Sequence, residues 1–357
     1  MLNKALRRAD AFCGRFGLRL PILLAPMAGA CPPSLSIAVA NAGGYGACGA
    51  LLMQPGAIAA WVAAMRSGSN GGFQLNLWIP DPAPVRDEPI EAAVRRFLGN
   101  WGPEVVPAAA DALPPDFSAQ CEAMFAAAPP VISSIMGLYP AMFVERMKAA
   151  GIKWFATATT VTEAIAAERA GADVIVAQGM EAGGHRGAFD ASTAEVQTVG
   201  LFSLLPAVVD AVRVPVIASG GIADARGVAA ALLLGASAVQ IGTGFLRCPE
   251  AGIPTAWADA IGSTRPEDTL ITRAFSGRPG RSIGTRYARA ATTRGAPTPA
   301  PYPVQRALTQ AMRDQAIKRN DLAGMQAWAG QSAAMAQAQP AESVANGLWE
   351  GACELLE

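Results

Sequence analysis

The chain contains a single histidine, His185, and it follows directly on an apolar run. The run at 172–179 ends in Gln178-Gly179, and Glu181, Gly183, Gly184 and His185 come next. An imidazole titrates near neutrality and can take or give a proton, so a histidine at a strand end is a candidate base. The competing reading is a packed, structural histidine. Glu181 would form a metal pair with it only if further ligands stood nearby, and the spacing supplies none. Two glycine clusters, Gly220-Gly221 and Gly242-Thr243-Gly244, end the apolar runs at 214–221 and 237–245. Backbone N–H groups in such loops, with the N-terminus of a following helix, make a phosphate cradle; the plainer reading is a pair of tight turns. Asn76 and Gln178 each carry a donor and an acceptor, which suits the edge of a planar heterocycle and equally suits a buried amide serving loop backbone.

These residues need elements to hold them. Eight apolar, β-type runs recur, at 21–27, 43–51, 73–79, 130–137, 152–159, 172–179, 214–221 and 237–245. Near-continuous apolar runs are expected of parallel strands covered on both faces. The connectors read as helices. Thr160 and Glu163 have capping-box spacing, with Gly171 as a stop. Leu201, Leu204, Leu205, Val208 and Val212 form one helical stripe, with Pro206 assigned to the first turn. Asp224 caps a helix running to Gly235. Eight β units with helical crossovers predict a (β/α)8 barrel, with a doubly wound sheet as the runner-up. In a barrel the working residues sit at the C-terminal strand ends, where Met27, Ala28, Asn76, Gln178, His185, Gly220 and Gly242 all fall.

The barrel is assigned to residues 1–79 and 130–255. Residues 80–129 read as an insertion with helices around 88–100 and 117–127. Residues 256–357 read as a mostly helical C-terminal cap containing an Arg- and Gly-rich loop (276–290) and a Pro-rich linker (297–303). Gly44, Gly46 and Gly49 spell G-x-G-x-x-G, but a helix-like run at 34–42 precedes them where a dinucleotide fingerprint needs a strand.

Composition narrows the partners. Lys+Arg and Asp+Glu are both 28, so bulk charge attracts neither nucleic acid nor an anionic membrane. With 16% charged and 52% hydrophobic residues, the chain is built to bury a large core. The six cysteines are scattered and form no C-x-x-C, which argues against zinc, iron–sulfur or disulfide frameworks and for reduced thiols in the cytoplasm. The start, 1–31, has the basic-then-apolar order of a secretion signal, but its apolar run is short, carries Pro21 and Pro26, and lies far from the basic residues. It is read as a strand. The stretch at 228–246 is broken by glycines and polar residues, so no membrane span is expected.

Several segments together resemble the nitronate monooxygenases, formerly called 2-nitropropane dioxygenases: "PILLAPMAGA", "FQLNLWIP", "VIVAQGMEAGGHRG", "PVIASGGIADARGVAAALLLGASAVQIGTGFL" and "TRAFSGRPGR". The resemblance runs over most of residues 20–285, and the stretch around His185 is its most specific part. It implies a TIM barrel holding non-covalent FMN at its mouth. The phosphate would lie on Gly220, Gly221, Gly242 and Thr243, with Gln240 nearby. The ring would lie against Met27 and Ala28, with Asn76, Gln178 and Gly183 contacting flavin or ribityl. His185 would be the catalytic base, and no metal is implied. The implied reaction is oxidation of a small anionic alkyl nitronate by FMN and O2, giving a carbonyl compound and nitrite. Related FMN barrels, among them flavin-dependent enoyl-ACP reductases, share the G-x-E-x-G-G-H stretch, and some relatives are NADH:quinone reductases. The alternative is therefore an FMN-dependent NAD(P)H oxidoreductase acting on a quinone or enoyl thioester. Gln178 stands where the enoyl reductases are expected to carry an acidic residue, which favours the monooxygenase. Arg278 and Arg281 fall within the resemblance without an implied role.

Overall fold

A computed structural model describes residues 4–357; the first three residues of the expected barrel segment lie outside the described residues. All eight expected strands are present, each shorter than its apolar run. They are β1 (Ile22–Leu24), β2 (Gly46–Gly49), β3 (Phe73–Trp78), β4 (Val131–Ile135), β5 (Lys153–Ala158), β6 (Val174–Gln178), β8 (Val216–Ser219) and β9 (Ala238–Ile241). Every ladder among them is parallel, in the order β1-β9-β8-β6-β5-β4-β3-β2. A parallel bridge between Leu23 and Tyr45 joins the two ends, so the sheet closes on itself as a (β/α)8 barrel. Closure explains the composition of the strands. With no free edge and helices outside, both faces are apolar, and Ile22, Leu75, Ile132, Ile175, Ile217 and Val239 are all fully buried.

The helix signals act as read. Thr160 and Glu163 make both bonds of the capping box on helix Val161–Arg169, and Asp224 accepts from Gly227 N at 2.9 Å at the start of helix Ala225–Leu233. Helix Pro33–Asn41 precedes the G-x-G-x-x-G, and β2 begins within it, which is not the dinucleotide arrangement. Pro206 does not lie in a first turn. Helix Leu201–Ala211 starts at the stripe itself, after Gly200, and Pro206 falls in its interior. The ring deprives the Phe202 carbonyl of a helical donor, and Phe202 is on the exposed face, where water can serve instead.

The bottom of the barrel is plugged by the first helix, Lys4–Phe16. Its Phe12 and Cys13, with Leu18, pack on Leu23, Tyr45, Val131, Phe155 and Val174, and Phe16 meets Phe155 edge-on at 5.1 Å. The apolar start of the chain is thus spent on the core. Segment 80–129 splits in two. Helix Glu88–Leu98 packs Val94 and Leu98 into an upper cluster with Phe275, Tyr287, Val304 and Leu308, whereas helix Phe117–Ala126 gives Cys121 and Met124 to the main core. The last helix, Ala341–Leu356, likewise joins the main core. Among the described residues no helix is long and apolar enough to cross a membrane.

A second sheet sits over the mouth. Strands β10 (Thr269–Thr272), β11 (Gly280–Ile283) and the two-residue β7 (Gly184–His185) pair antiparallel in the order β10-β11-β7. His185 follows two glycines but is not in a free loop. It is instead paired with Gly280, and Arg186 N donates to Pro279 O at 2.9 Å.

Candidate active site

The strand ends enclose one cavity of about 400 Å³. The eleven residues expected to hold the cofactor or act as base all line it, namely Met27, Ala28, Asn76, Gln178, Gly183, His185, Gly220, Gly221, Gln240, Gly242 and Thr243, whereas Glu181, Gly244, Arg278 and Arg281 do not. The floor near β1 is drawn tight. A Cβ on Gly49 would lie 2.5 Å from Ala28 N, so the bare β2 backbone lets the Met27-Ala28 loop close. Cys31 pins the same loop, accepting from Met27 N and donating to Ala25 O, both at 3.2 Å. Burial pushes that thiol up to about 12, so it remains a thiol.

The glycine loops have the character of an anion cradle. Gly220 and Gly221 sit at φ of 111° and 68°, where a side chain is strained. The backbone N–H groups of Gly220, Gly221, Gly242 and Thr243 donate to no acceptor among the described residues. All four residues are half-buried and line the cavity, so four donors together offer it a place suited to an external acceptor. A dianionic phosphate is such an acceptor, and the cavity beside it has room for a planar ring, so these residues fit FMN.

The amides divide their work. Gln178 Oε1 accepts from Gly187 N at 2.8 Å, and its Nε2 donates to His185 O at 3.2 Å. It therefore serves loop backbone while facing the cavity, and what it holds is the His185 segment. Asn76 Nδ2 donates to Ser133 Oγ at 3.0 Å, and Gln74 Nε2 donates to Gln240 Oε1 at 3.0 Å. These bonds orient Asn76 and Gln240 from behind.

His185 is half-buried between two indoles. Its ring centroid lies 4.6 Å from Trp78 and 4.8 Å from Trp328, both edge-on. Nε2 lies 2.7 Å from Ser276 Oγ. Ser276 Oγ also lies 3.2 Å from Arg278 O; when the hydroxyl donates there, it accepts from Nε2–H and Nδ1 carries the free lone pair. Burial, and then the charges of Arg278, Arg306 and Arg313, push the imidazole pKa down to about 3, so the ring is neutral at neutral pH. Glu181, its possible metal partner, is occupied elsewhere: both carboxylate oxygens accept from Leu201 N at the start of that helix. Among the described residues no group of three or more His, Cys, Asp or Glu is placed to hold a metal.

Several lining residues escaped sequence reading. Arg306, Gln310 and Arg313 face the cavity at i, i+4, i+7, a polar helical stripe that was a usable signal. Arg313 is held by Gln326 Oε1 at 3.1 Å and Gln310 Oε1 at 2.7 Å, and burial lowers it to about 9. The Arg306 guanidinium has no hydrogen-bond or ion-pair partner among the described residues, and burial lowers its pKa too. A half-buried, unpaired guanidinium beside an imidazole favours an anionic ligand. Ser276, Trp78 and Trp328 stand at spacings that carry no pattern. Arg278 and Arg281 act behind the site. Arg278 donates to Ala188 O at 2.9 Å and pairs with Asp81 at 3.3 Å, and Arg281 donates to Met180 O at 3.0 Å and Thr269 Oγ1 at 2.8 Å.

Comparison with known proteins agrees with this architecture. A "probable nitronate monooxygenase" of Staphylococcus aureus strain Newman is 36% identical over 333 residues, covering 92% of each chain. The crystal structure of a nitroalkane oxidase from Streptomyces ansochromogenes aligns with TM-score 0.85 and 36% identity over 94% of this chain and 96% of that one. FabK from Thermotoga maritima aligns with TM-score 0.75 and 26% identity over 97% and 96%. The sequence profile described as nitronate monooxygenase spans residues 13–351, from the bottom plug to the last helix, and with it this chain belongs to the nitronate monooxygenase family.

Proposed function

We propose that the protein catalyses FMN-dependent oxidation of alkyl nitronates by O2, giving a carbonyl compound and nitrite. The observation that carries this reading is the pairing of a four-donor anion cradle with a neutral imidazole and an unpaired guanidinium in one cavity. When bound, FMN supplies the electron-accepting and O2-handling chemistry that no side chain here offers. Gly220, Gly221, Gly242 and Thr243 would hold its phosphate, and Met27, Ala28, Asn76, Gln178, Gly183 and Gln240 would line the rest of its place. Arg306 attracts the nitronate anion and orients it. His185 Nδ1 removes the α-proton when a neutral nitroalkane enters, with Ser276 fixing the tautomer. Trp78 and Trp328 exclude water around the imidazole. Six free cysteines, five of them buried, fit a reducing compartment, and we assign the protein to the cytoplasm.

The test is anaerobic mixing of the purified protein with propionate 3-nitronate, and separately with NADH, while following the visible flavin absorbance. Bleaching by the nitronate alone is expected. Bleaching by NADH alone would replace this reading with an NAD(P)H oxidoreductase acting on a quinone or enoyl thioester. A protein that carries no flavin would remove both.

A further inference from the structure

The cradle loops are tied together by a segment distant in sequence. Residues 328–332 cross the cavity, lining it at Trp328, Gly330 and Ser332. Gly330 N–H donates to Thr243 Oγ1 at 3.0 Å, Gln331 N–H donates to Glu181 O at 2.9 Å, and the Ser332 hydroxyl donates to Gly221 O at 2.6 Å. One bond therefore reaches each of the loops that follow β6, β8 and β9. The near end is anchored separately, since Trp257 Nε1–H donates to Trp328 O at 3.2 Å and Ile283 N–H donates to Ala327 O at 2.9 Å. Contact is close enough that a Cβ on Gly183 would lie 2.5 Å from Gly330 N.

Two chemical consequences follow. Thr243 Oγ1 accepts from Gly330, so its own hydrogen is left to donate, and no acceptor among the described residues takes it. The hydroxyl thus joins the four backbone donors of the cradle. Ser332 holds the carbonyl of Gly221, a residue in a conformation that glycine leaves readily, and so restricts the loop that must stay ordered around an anion.

We propose that residues 330–332 are a cofactor-positioning clasp: they order the phosphate cradle and set how long a phosphate-bearing flavin stays bound. This rests on the FMN reading above. The perturbation is Ser332→Ala. Dissociation constants and release rates are measured for FMN and for riboflavin, which lacks the phosphate, by flavin fluorescence on reconstituted protein. Losing one neutral hydrogen bond is expected to weaken FMN about 3- to 10-fold, mainly through faster release. Riboflavin affinity stays unchanged, Ser332→Thr restores FMN retention, and Ser67→Ala, an exposed hydroxyl bonded within its own helix, has no effect. Equal weakening of FMN and riboflavin, tracking a lowered thermal midpoint of the apoprotein, would make the bond a general fold contact and overturn the clasp. Unchanged FMN release would overturn it as well. Wild-type protein that binds neither flavin would overturn the FMN reading itself, and the clasp with it.

Discussion

Replacing His185 by Gln separates the two halves of the proposed reaction. Glutamine nearly fills the space between Trp78 and Trp328 and can still bond Ser276, so the site keeps its shape but loses its base. The size of the effect depends on whether another base can substitute. Besides His185, the titratable side chains lining the cavity among the described residues are Arg306, Arg313 and Asp314. The arginines are cations, and Asp314 is exposed to solvent with its Oδ1 accepting from Gln310 Nε2 at 2.6 Å. No replacement is at hand, so the full contribution of a positioned base, about 10²- to 10⁴-fold, is lost from kcat/KM on a neutral nitroalkane. A preformed nitronate has already shed that proton, and its kcat/KM is expected to change less than about 5-fold, on the order of 1 kcal/mol. Oxygen consumption with nitroethane and with ethylnitronate, at equal flavin content, measures both. An equal loss on the two substrates would refute the base assignment and make His185 a binding or redox-tuning group. Full activity on nitroethane would refute it outright.

The depressed imidazole predicts a pH profile without the usual limb near 6.5, since His185 stays neutral in the folded protein down toward about 3. Arg306→Gln removes one of the charges that oppose the imidazolium, so the limb should move upward, while KM for nitronates rises about 10-fold or more through loss of a charge-assisted bond. Stability should follow the same sign: below about 6.5 the unfolded chain takes a proton that folded His185 refuses, so acid costs stability from there toward about 3, and His185→Gln abolishes that part of the loss. Gly220→Ala places a Cβ 3.1 Å from Ala182 N at φ 111°, which should cost about 1–3 kcal/mol of stability and most of the FMN affinity, read by thermal melting and flavin content.

Much of the barrel was legible because its strands obey one local rule. Covered on both faces, β4, β6 and β8 read as short apolar runs, and side-chain caps such as Thr160 and Asp224 mark where helices begin. The cradle glycines were legible for the same reason, since they stand at strand ends fixed by that rule. What was hidden depends on distant pairing. Strand β7 is two residues long and half glycine, with no propensity of its own, and it exists because β11 pairs with it. Trp328, Gly330 and Ser332 belong to a non-helical, Gly- and Ala-rich stretch whose contacts lie across the barrel mouth. Pro206 was misplaced by a few residues because the helix start is marked only by Gly200, which offers no side-chain cap.

The arginines around His185 look at first like an error in the design of a base, because they make imidazolium harder to form. In the proposed reaction the proton leaves one group and an anion appears on the other, so both products feel the same field. Arg306, with no partner of its own, destabilises imidazolium and stabilises the nitronate that forms with it, and the two effects oppose each other in the proton-transfer step. For a nitronate that arrives as an anion only the favourable half applies, and it is gained on binding with no proton moved. The same charges therefore gain little for a neutral nitroalkane and act in full for a nitronate. A cavity with a neutral histidine in a cationic, half-dry wall is accordingly matched to nitronates first, and the ratio of kcat/KM for a nitronate to that for its parent nitroalkane should be well above one and should shrink in Arg306→Gln. A ratio near one in the wild type, or one that Arg306→Gln leaves untouched, would mean that the guanidinium faces neither the anion nor the base.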